Sequence, residues 1–411
     1  MKIAIVVWDL SISGGTQRQV LELAHYLVGK GHVVKVYCAY LNRSRCYPGR
    51  LEGLEISAMR EGDYSRGRDN LRKWIAYPPE PMFAGEAKAL SEAMDEDFDL
   101  VNPHDFQAYR AAYFYKRAHG TPAVWMVNDL PRSMVLPGLG LRPRKMLDLV
   151  HYVLLGGPLG FCVDRARIRL MDRSVVFDRP SAELLRRRTG LEPVRMGSGL
   201  DPSAFTFRPR SGCSGERAIK ALAVGIFFPH RRFEDLLRAA ELLAGEGYDV
   251  TVSLVGSEAY EPNYARRIHS LVSELGLESR VRFLGEVAEP ELKRLYSESD
   301  VLVFPNYPQT WGLAVFEAMA SGTPVIVSTG AGSSELLTDG ENALLVPPGR
   351  PDEIASCMKR LCGDAQLYSK LSTNGRRFVE ESVSWDSYGR RMEALFEEVV
   401  AGNRRKREGS G

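Results

Sequence analysis

What the chain lacks narrows it first. It has no run of about 18 apolar residues, so no bilayer-spanning helix is expected. Residues 1–10 read as a strand carrying one lysine, too soon interrupted to act as a secretion signal. Its six cysteines, at 38, 46, 162, 213, 357 and 362, show no CxxC spacing. Neither a zinc site nor a disulfide framework is therefore indicated, and a reducing compartment fits. Charge of one sign is also missing: 54 Lys and Arg against 52 Asp and Glu leave a net +2. No arginine stripe alternates with stacking aromatics, so a nucleic-acid partner is not expected. GxGxxG is absent, and so is an acidic residue placed to read an NAD ribose, which argues against a dinucleotide cofactor. No Asp-x-Asp pair stands at a ligand-facing loop, so no metal ligands are assigned.

What is present is enough chain for two domains. At 411 residues it exceeds one ordinary core, and 44% hydrophobic with 26% charged residues is a normal globular balance. The most informative stretch is 305–327, PNYPQTWGLAVFEAMASGTPVIV. A Pro-bounded polar loop containing Gln309 and Thr310 leads through Trp311 and Gly312 into helix formers from Leu313 to 320. Gly322 and Pro324 then end the helix before a buried-type strand, 325–327. A helix that begins at a glycine offers free amides and the positive end of its dipole, here at Gly312, Leu313 and Ala314. Glu317, about one turn on, shares the stretch 305–338 with only one other charge, Glu335. It could accept two hydrogen bonds from a ribose diol, or it could be an ordinary surface glutamate.

This stretch resembles the donor-binding signature of the retaining GT-B glycosyltransferases of the GT4 group, E-x-F/W-G-x-x-x-x-E-A-M-A-x-G-x-P-V. The resemblance implies an α/β fold: two Rossmann-like domains facing each other across a cleft, with a C-terminal helix crossing back to the first. It implies transfer of a sugar from a nucleotide-sugar donor to a saccharide or lipid-linked acceptor, with anomeric retention and no metal. The nucleotide sugar is a co-substrate, and no cofactor is expected. Glu317 takes the position that binds the donor ribose. Gln309 stands where the family has the Glu that contacts the donor sugar, which keeps hydrogen bonding but loses a charge. A nucleotide-sugar epimerase of the same fold and a non-catalytic nucleotide-sugar binder are the rival readings.

In chain order, 2–8 (KIAIVVW) reads as a central parallel strand, and 9–16 as a turn bearing Gly14 and Gly15. A helix over 17–29 and a strand over 33–39 complete a βαβ unit. The turn resembles the family's G-G segment, which meets the donor phosphates; a tight turn with no ligand is the plain alternative. Residues 43–69 read as irregular surface. His104 follows the strand 99–102, where ligands bind in open α/β sheets. The family often has a histidine there, so His104 is the acceptor-side catalytic candidate, although a lone His is more often structural. Asn128 follows the next strand, 124–127, and can supply a hydrogen bond but no proton.

Residues 131–170 alternate apolar clusters with arginines. They read either as a packed helical hairpin or as a segment that touches an anionic membrane from the cytoplasmic side. The protein is accordingly expected in the cytoplasm, with the inner membrane face as a second station. The strand 174–177 and a basic helix over 180–189 follow. Residues 208–216, RPRSGCSGE, have linker composition.

The second half opens with a strand over 219–224 and then Gly225-Ile226-Phe227-Phe228-Pro229-His230-Arg231-Arg232. The family pattern there is G-R-L-x-x-x-K-G, whose Arg and Lys hold the donor diphosphate. Ile226 takes the Arg position, Arg231 the Lys position and Arg232 the Gly position. Arg231 is thus the expected phosphate clamp, with Arg232 a weaker partner or a solvated residue. Gly256 ends the next strand, and Val287 closes a segment similar to F-L-G-x-V, which meets the nucleotide base. The expected domains are 1–200, a linker over 201–217, a donor domain over 218–382, and a crossover helix with a basic, disordered tail over 383–411.

Overall fold

The computed structural model describes residues 1–62, 80–128, 131, 157–307 and 311–408. The chain divides into two compact units, Met1–Ser198 with Trp385–Gly411, and Gly199–Ser384.

Unit 1 runs β1 (Lys2–Leu10), α1 (Gly15–Gly29), β2 (Val33–Leu41), the single turn α2 (Pro48–Leu51), β3 (Glu55–Glu61), α3 (Glu80–Glu92), β4 (Leu100–Pro103), α4 (Asp105–His119), β5 (Val124–Met126), α5 (Gly157–Ile168), β6 (Arg173–Val176), α6 (Arg179–Thr189) and β7 (Val194–Arg195). The strands pair in parallel as β3-β2-β1-β4 and β5-β6-β7. Single bridges, Val101 to Ala123 and His104 to Met126, join the two sets. β1 is apolar on both faces because both are covered. Ile3, Ile5 and Val7 pack with Val20, Leu23 and Met392 in one cluster, while Ala4, Val6 and Trp8 pack with Ala108, Ala112 and Tyr115 in another.

Unit 2 repeats the scheme with β8 (Ala218–Val224), α7 (Phe233–Gly245), β9 (Asp249–Val255), α8 (Pro262–Glu274), β10 (Val281–Gly285), α9 (Glu289–Glu298), β11 (Val301–Phe304), α10 (Leu313–Ala320), β12 (Val325–Ser328), β13 (Leu344–Val346), α11 (Pro351–Gly363) and α12 (Ala365–Phe378). Its all-parallel order is β10-β9-β8-β11-β12-β13, the doubly wound Rossmann order. The order reverses between β1 and β4 in unit 1 and between β8 and β11 in unit 2. Such reversals leave room for a ligand beyond the strands' carboxyl ends.

Three expectations are corrected. Residues 43–69 are not all irregular: α2 and β3 lie within 48–61, and β3 pairs in parallel with β2 at the sheet edge. Its exposed positions, Glu55, Arg60 and Glu61, carry charges, which disguise the strand. The stretch expected as a linker, 201–217, is folded onto unit 2. Asp300, fully buried, accepts from the Lys220 amide (2.8 Å), Ser214 Oγ (3.0 Å) and Arg210 Nη2 (3.2 Å). Arg376 Nη1 donates to the Pro202 and Ala320 carbonyls at 2.8 and 2.7 Å. The tail expected to be disordered from 404 continues the last helix, α13 (Trp385–Glu408).

A π-turn, Val379–Val383, precedes the passage from unit 2 to unit 1. α13 then packs on α1 so closely that a methyl group on Gly389 would stand 2.3 Å from Tyr26 Cγ. The Tyr26 hydroxyl donates to Glu393 Oε2 at 3.0 Å and holds the ring in place. On an open helix, Gly→Ala stabilises by about 1 kcal/mol. Here overpacking, which costs about 1–3 kcal/mol, outweighs that gain. Gly389→Ala is therefore expected to lower the urea midpoint, and a raised midpoint would contradict this packing.

Candidate functional site

The unit 2 site begins with three loops packed main chain to main chain. The Gly225 amide donates to the Val255 carbonyl (2.8 Å), Phe227 to Ser257 (2.9 Å) and Gly256 to Gly285 (2.8 Å). Gly256 has φ +142, and a methyl group there would stand 2.0 Å from the Gly225 carbonyl oxygen. Only glycine fits at that contact. Gly225, having no side chain, leaves room for that of Arg231. The 3₁₀ turn Pro229–Arg231 folds Arg231 back so that a methyl on Gly225 would lie 2.7 Å from Arg231 Nε. Burial draws the Arg231 pKa below its ordinary value. It stays a cation, and one whose field water screens poorly.

Arg232 has a different fate. It sits in the left-handed region (φ +52) at the start of α7, and its guanidinium grips Asp235 at 2.6 and 3.1 Å. The Asp235 hydrogen bond raises its pKa. Its charge is already balanced by Asp235, which leaves it less available to an anion than Arg231 is.

The Tyr307 amide donates to the His230 carbonyl at 2.8 Å, tying the chain after β11 to the Arg231 turn. Gln309 and Thr310 lie outside the described residues. Trp311 is buried against Phe316, with ring centroids 5.0 Å apart. Gly312 caps α10, and a methyl there would come 2.8 Å from the Phe304 ring and 3.1 Å from Ser333 Oγ. The first amide to turn back into the helix is Val315, on the Gly312 carbonyl at 3.0 Å. The amides of Gly312, Leu313 and Ala314 therefore form the helix's positive end. Glu317, half-buried on α10, accepts at Oε2 from the Tyr296 hydroxyl at 2.7 Å. Burial, with Glu317 alongside, holds the Tyr296 pKa well above 10, so it remains a donor. Val287, half-buried, follows β10 two residues past Gly285.

In unit 1, Gly14 caps α1, and a methyl there would meet Gln17 Oε1 at 2.5 Å, whereas Gly15 faces open space. His104 is fully buried. Its Nε2 lies 2.9 Å from Asn102 Oδ1, and its Nδ1 lies 3.5 Å from Asn128 Nδ2. The ring thus carries its proton on Nε2, and burial pushes its pKa down to about 3. His104 is thus held neutral, with its ring placed at the end of β4 between Asn102 and Asn128. The next residue, Asp105, is a non-glycine at φ +66, a strained position. Its carboxylate accepts from the amides of Trp8, Gln107 and Ala108, each at 2.8 Å.

Sequence reasoning missed Tyr296, Asp235 and Asp105. Asp235 could have been found three residues after Arg232 on a helix start; nothing in the sequence flags Tyr296. Among the described residues, no three His, Cys, Asp or Glu side chains cluster to hold a metal, and no helix is long and apolar enough to cross a membrane.

Residues 13–196 match the family described as Glycosyltransferase Family 4, and 208–378 match Glycosyl transferases group 1. A MMP alpha-(1->4)-mannosyltransferase from Mycolicibacterium hassiacum is 32% identical over 339 residues, 80% of this chain and 78% of that protein. The chain belongs to the group 1 glycosyltransferases. An uncharacterised glycosyltransferase of Methanocaldococcus jannaschii is 24% identical over 94% of this chain and 95% of its own. The fold of this glycosyltransferase is the GT-B fold. It is similar to that of Anabaena HepE, solved in complex with UDP, at a TM-score of 0.70 and 17% identity over 97% of this chain and all of that one.

The His104 environment makes a pH prediction for the glycosyltransferase. Its folded pKa of about 3 lies below the unfolded value of about 6.5, so the unfolded chain binds the proton first as pH falls. The contribution is complete above pH ~6.5 and shrinks by about 1.4 kcal/mol per pH unit below it. In denaturant titrations, His104→Gln is expected to remove one proton's worth of slope between about pH 6.5 and 4.5. An unchanged slope would refute the buried, neutral assignment.

Proposed function

We propose that this glycosyltransferase moves a sugar from a nucleotide-sugar donor to an acceptor hydroxyl with retention of anomeric configuration. One observation carries the reading: Arg231, desolvated against Gly225, is tied through His230 and Tyr307 to the segment that leads to the positive end of α10. A cation and a helix amino end that follow the neighbouring strands β8 and β11 suit a diphosphate. The Anabaena neighbour's complex with UDP and the mannosyltransferase relative support the same substrate class.

In the proposed reaction the bond between the sugar's anomeric carbon and the diphosphate oxygen breaks, and a bond from that carbon to the acceptor oxygen forms on the same face. The leaving phosphate oxygen takes the acceptor's proton. Arg231 and the amides of Gly312, Leu313 and Ala314 stabilise the charge gathering on the diphosphate. These fixed positive groups fill the place a metal ion would take. Glu317, oriented by Tyr296, accepts from the ribose hydroxyls. Gln309 and Thr310 hold the donor sugar's hydroxyls, and Gly256 and Val287 line the nucleotide end. His104 acts by holding Asn128 and the end of β4. The acceptor is a saccharide or a lipid-linked saccharide. A cytoplasmic protein drawn to an anionic membrane by residues 131–170 would suit the latter; of that segment only 131 and 157–170 are described.

A melting panel of UDP-, GDP-, ADP- and dTDP-sugars identifies the donor, because a ligand that binds only the folded chain raises the melting temperature. With that donor, Arg231→Ala is expected to lower turnover about 10²–10³-fold, and the product anomer seen by NMR should match the donor. Near-normal turnover would refute the clamp. Tight donor binding with no transfer by the wild-type chain would favour the non-catalytic binder that Gln309 and Ile226 also fit.

A further inference from the structure

The chain enters unit 2 along residues 199–217, and the Asp300 bonds fasten this stretch beside β8 and β11. Two thiols lie next to those bonds. Cys213 belongs to the entering stretch and Cys362 to α11. The Cys362 thiol reaches the carbonyls of Gly215 and Ala218, each at 3.8 Å, two and five residues along from Cys213, and both cysteines pack against the same core. Both are half-buried at the rim of the unit 2 core, within reach of small reagents. Cys38, Cys46 and Cys357 are instead buried, and Cys162 is exposed on α5 of unit 1.

We propose that Cys213 and Cys362 form a reversible disulfide that fastens the entering stretch to α11. The oxidant is a low-molecular-weight disulfide such as glutathione disulfide. The Cys362 thiolate attacks one sulfur of the reagent, forming a mixed disulfide and releasing one thiolate. Cys213 then gives up its proton and attacks the Cys362 sulfur, releasing the second thiolate. Two protein thiols are oxidised, and one small disulfide is reduced to two thiols. Either thiol can attack first with the same stoichiometry, because the two titrate as a pair. The bond closes a loop of about 150 residues, a length at which cross-linking restricts the unfolded chain strongly. None of the proposed donor residues takes part, so this inference does not depend on the donor reading.

The test treats the purified full-length chain with glutathione disulfide, then counts thiols after denaturation, maps the peptides and records melting. Two of the six thiols should be lost, with one peptide joining Cys213 to Cys362. The melting temperature should rise by about 5 °C or more. Dithiothreitol should reverse all of this. Cys213→Ser and Cys362→Ser should show no such peptide and no rise, and both should keep sugar transfer under reducing conditions. Six surviving thiols, glutathione retained on either cysteine, or a bond to another cysteine would overturn the proposal. A cross-link with an unchanged or lower melting temperature would overturn the fastening.

Discussion

Arg231 occupies the space that a side chain on residue 225 would need, and the site in unit 2 depends on that substitution of one group for another. The main chains at Gly225 and Gly256 touch, so neither position tolerates a larger residue. The gap above Gly225 takes the guanidinium out of bulk water, which is costly for a charge and strengthens its pull on any anion that arrives. The same turn presents the His230 carbonyl to Tyr307, so Arg231 and the segment leading to Gly312 are placed together rather than by separate loops. Charge placement here follows from close main-chain packing.

Both units share one strand order, yet their reversal points carry different chemistry. Beyond β8 and β11 lie a cation, a helix amino end and a carboxylate held by a phenol. Beyond β1 and β4 lies a neutral network: His104 between Asn102 and Asn128, next to an Asp105 carboxylate spent on three backbone amides. A left-handed non-glycine residue costs on the order of 1–3 kcal/mol, and those charge-assisted bonds offset it. The network sets the shape of the strand end.

The parts legible in the sequence were those with a local cause. Buried parallel strands announce themselves as apolar runs, so 325–327 is legible as β12 (Val325–Ser328), and α10 is legible with its observed bounds, Leu313–Ala320. Edge strand β3 was missed because its exposed positions carry charge, and the linker reading of 208–216 failed because composition does not reveal Asp300, some 85 residues on. The same limit applied at the sites. Arg231 was found from spacing, whereas the pairing of Arg232 with Asp235, the Tyr296 bond to Glu317 and the burial of His104 are tertiary facts. The turn at Gly14 was visible, but a glycine turn alone does not say whether a ligand meets it.

The central claim is that a desolvated guanidinium and a helix amino end in unit 2 jointly recognise a diphosphate. Calorimetry with a nucleoside diphosphate and the matching monophosphate tests it most directly. The diphosphate should bind at least about tenfold more tightly, as a charge-assisted bidentate contact implies, and Arg231→Met should erase the difference. Equal affinities for the two nucleotides in the wild-type chain, or a preference that survives Arg231→Met, would contradict it.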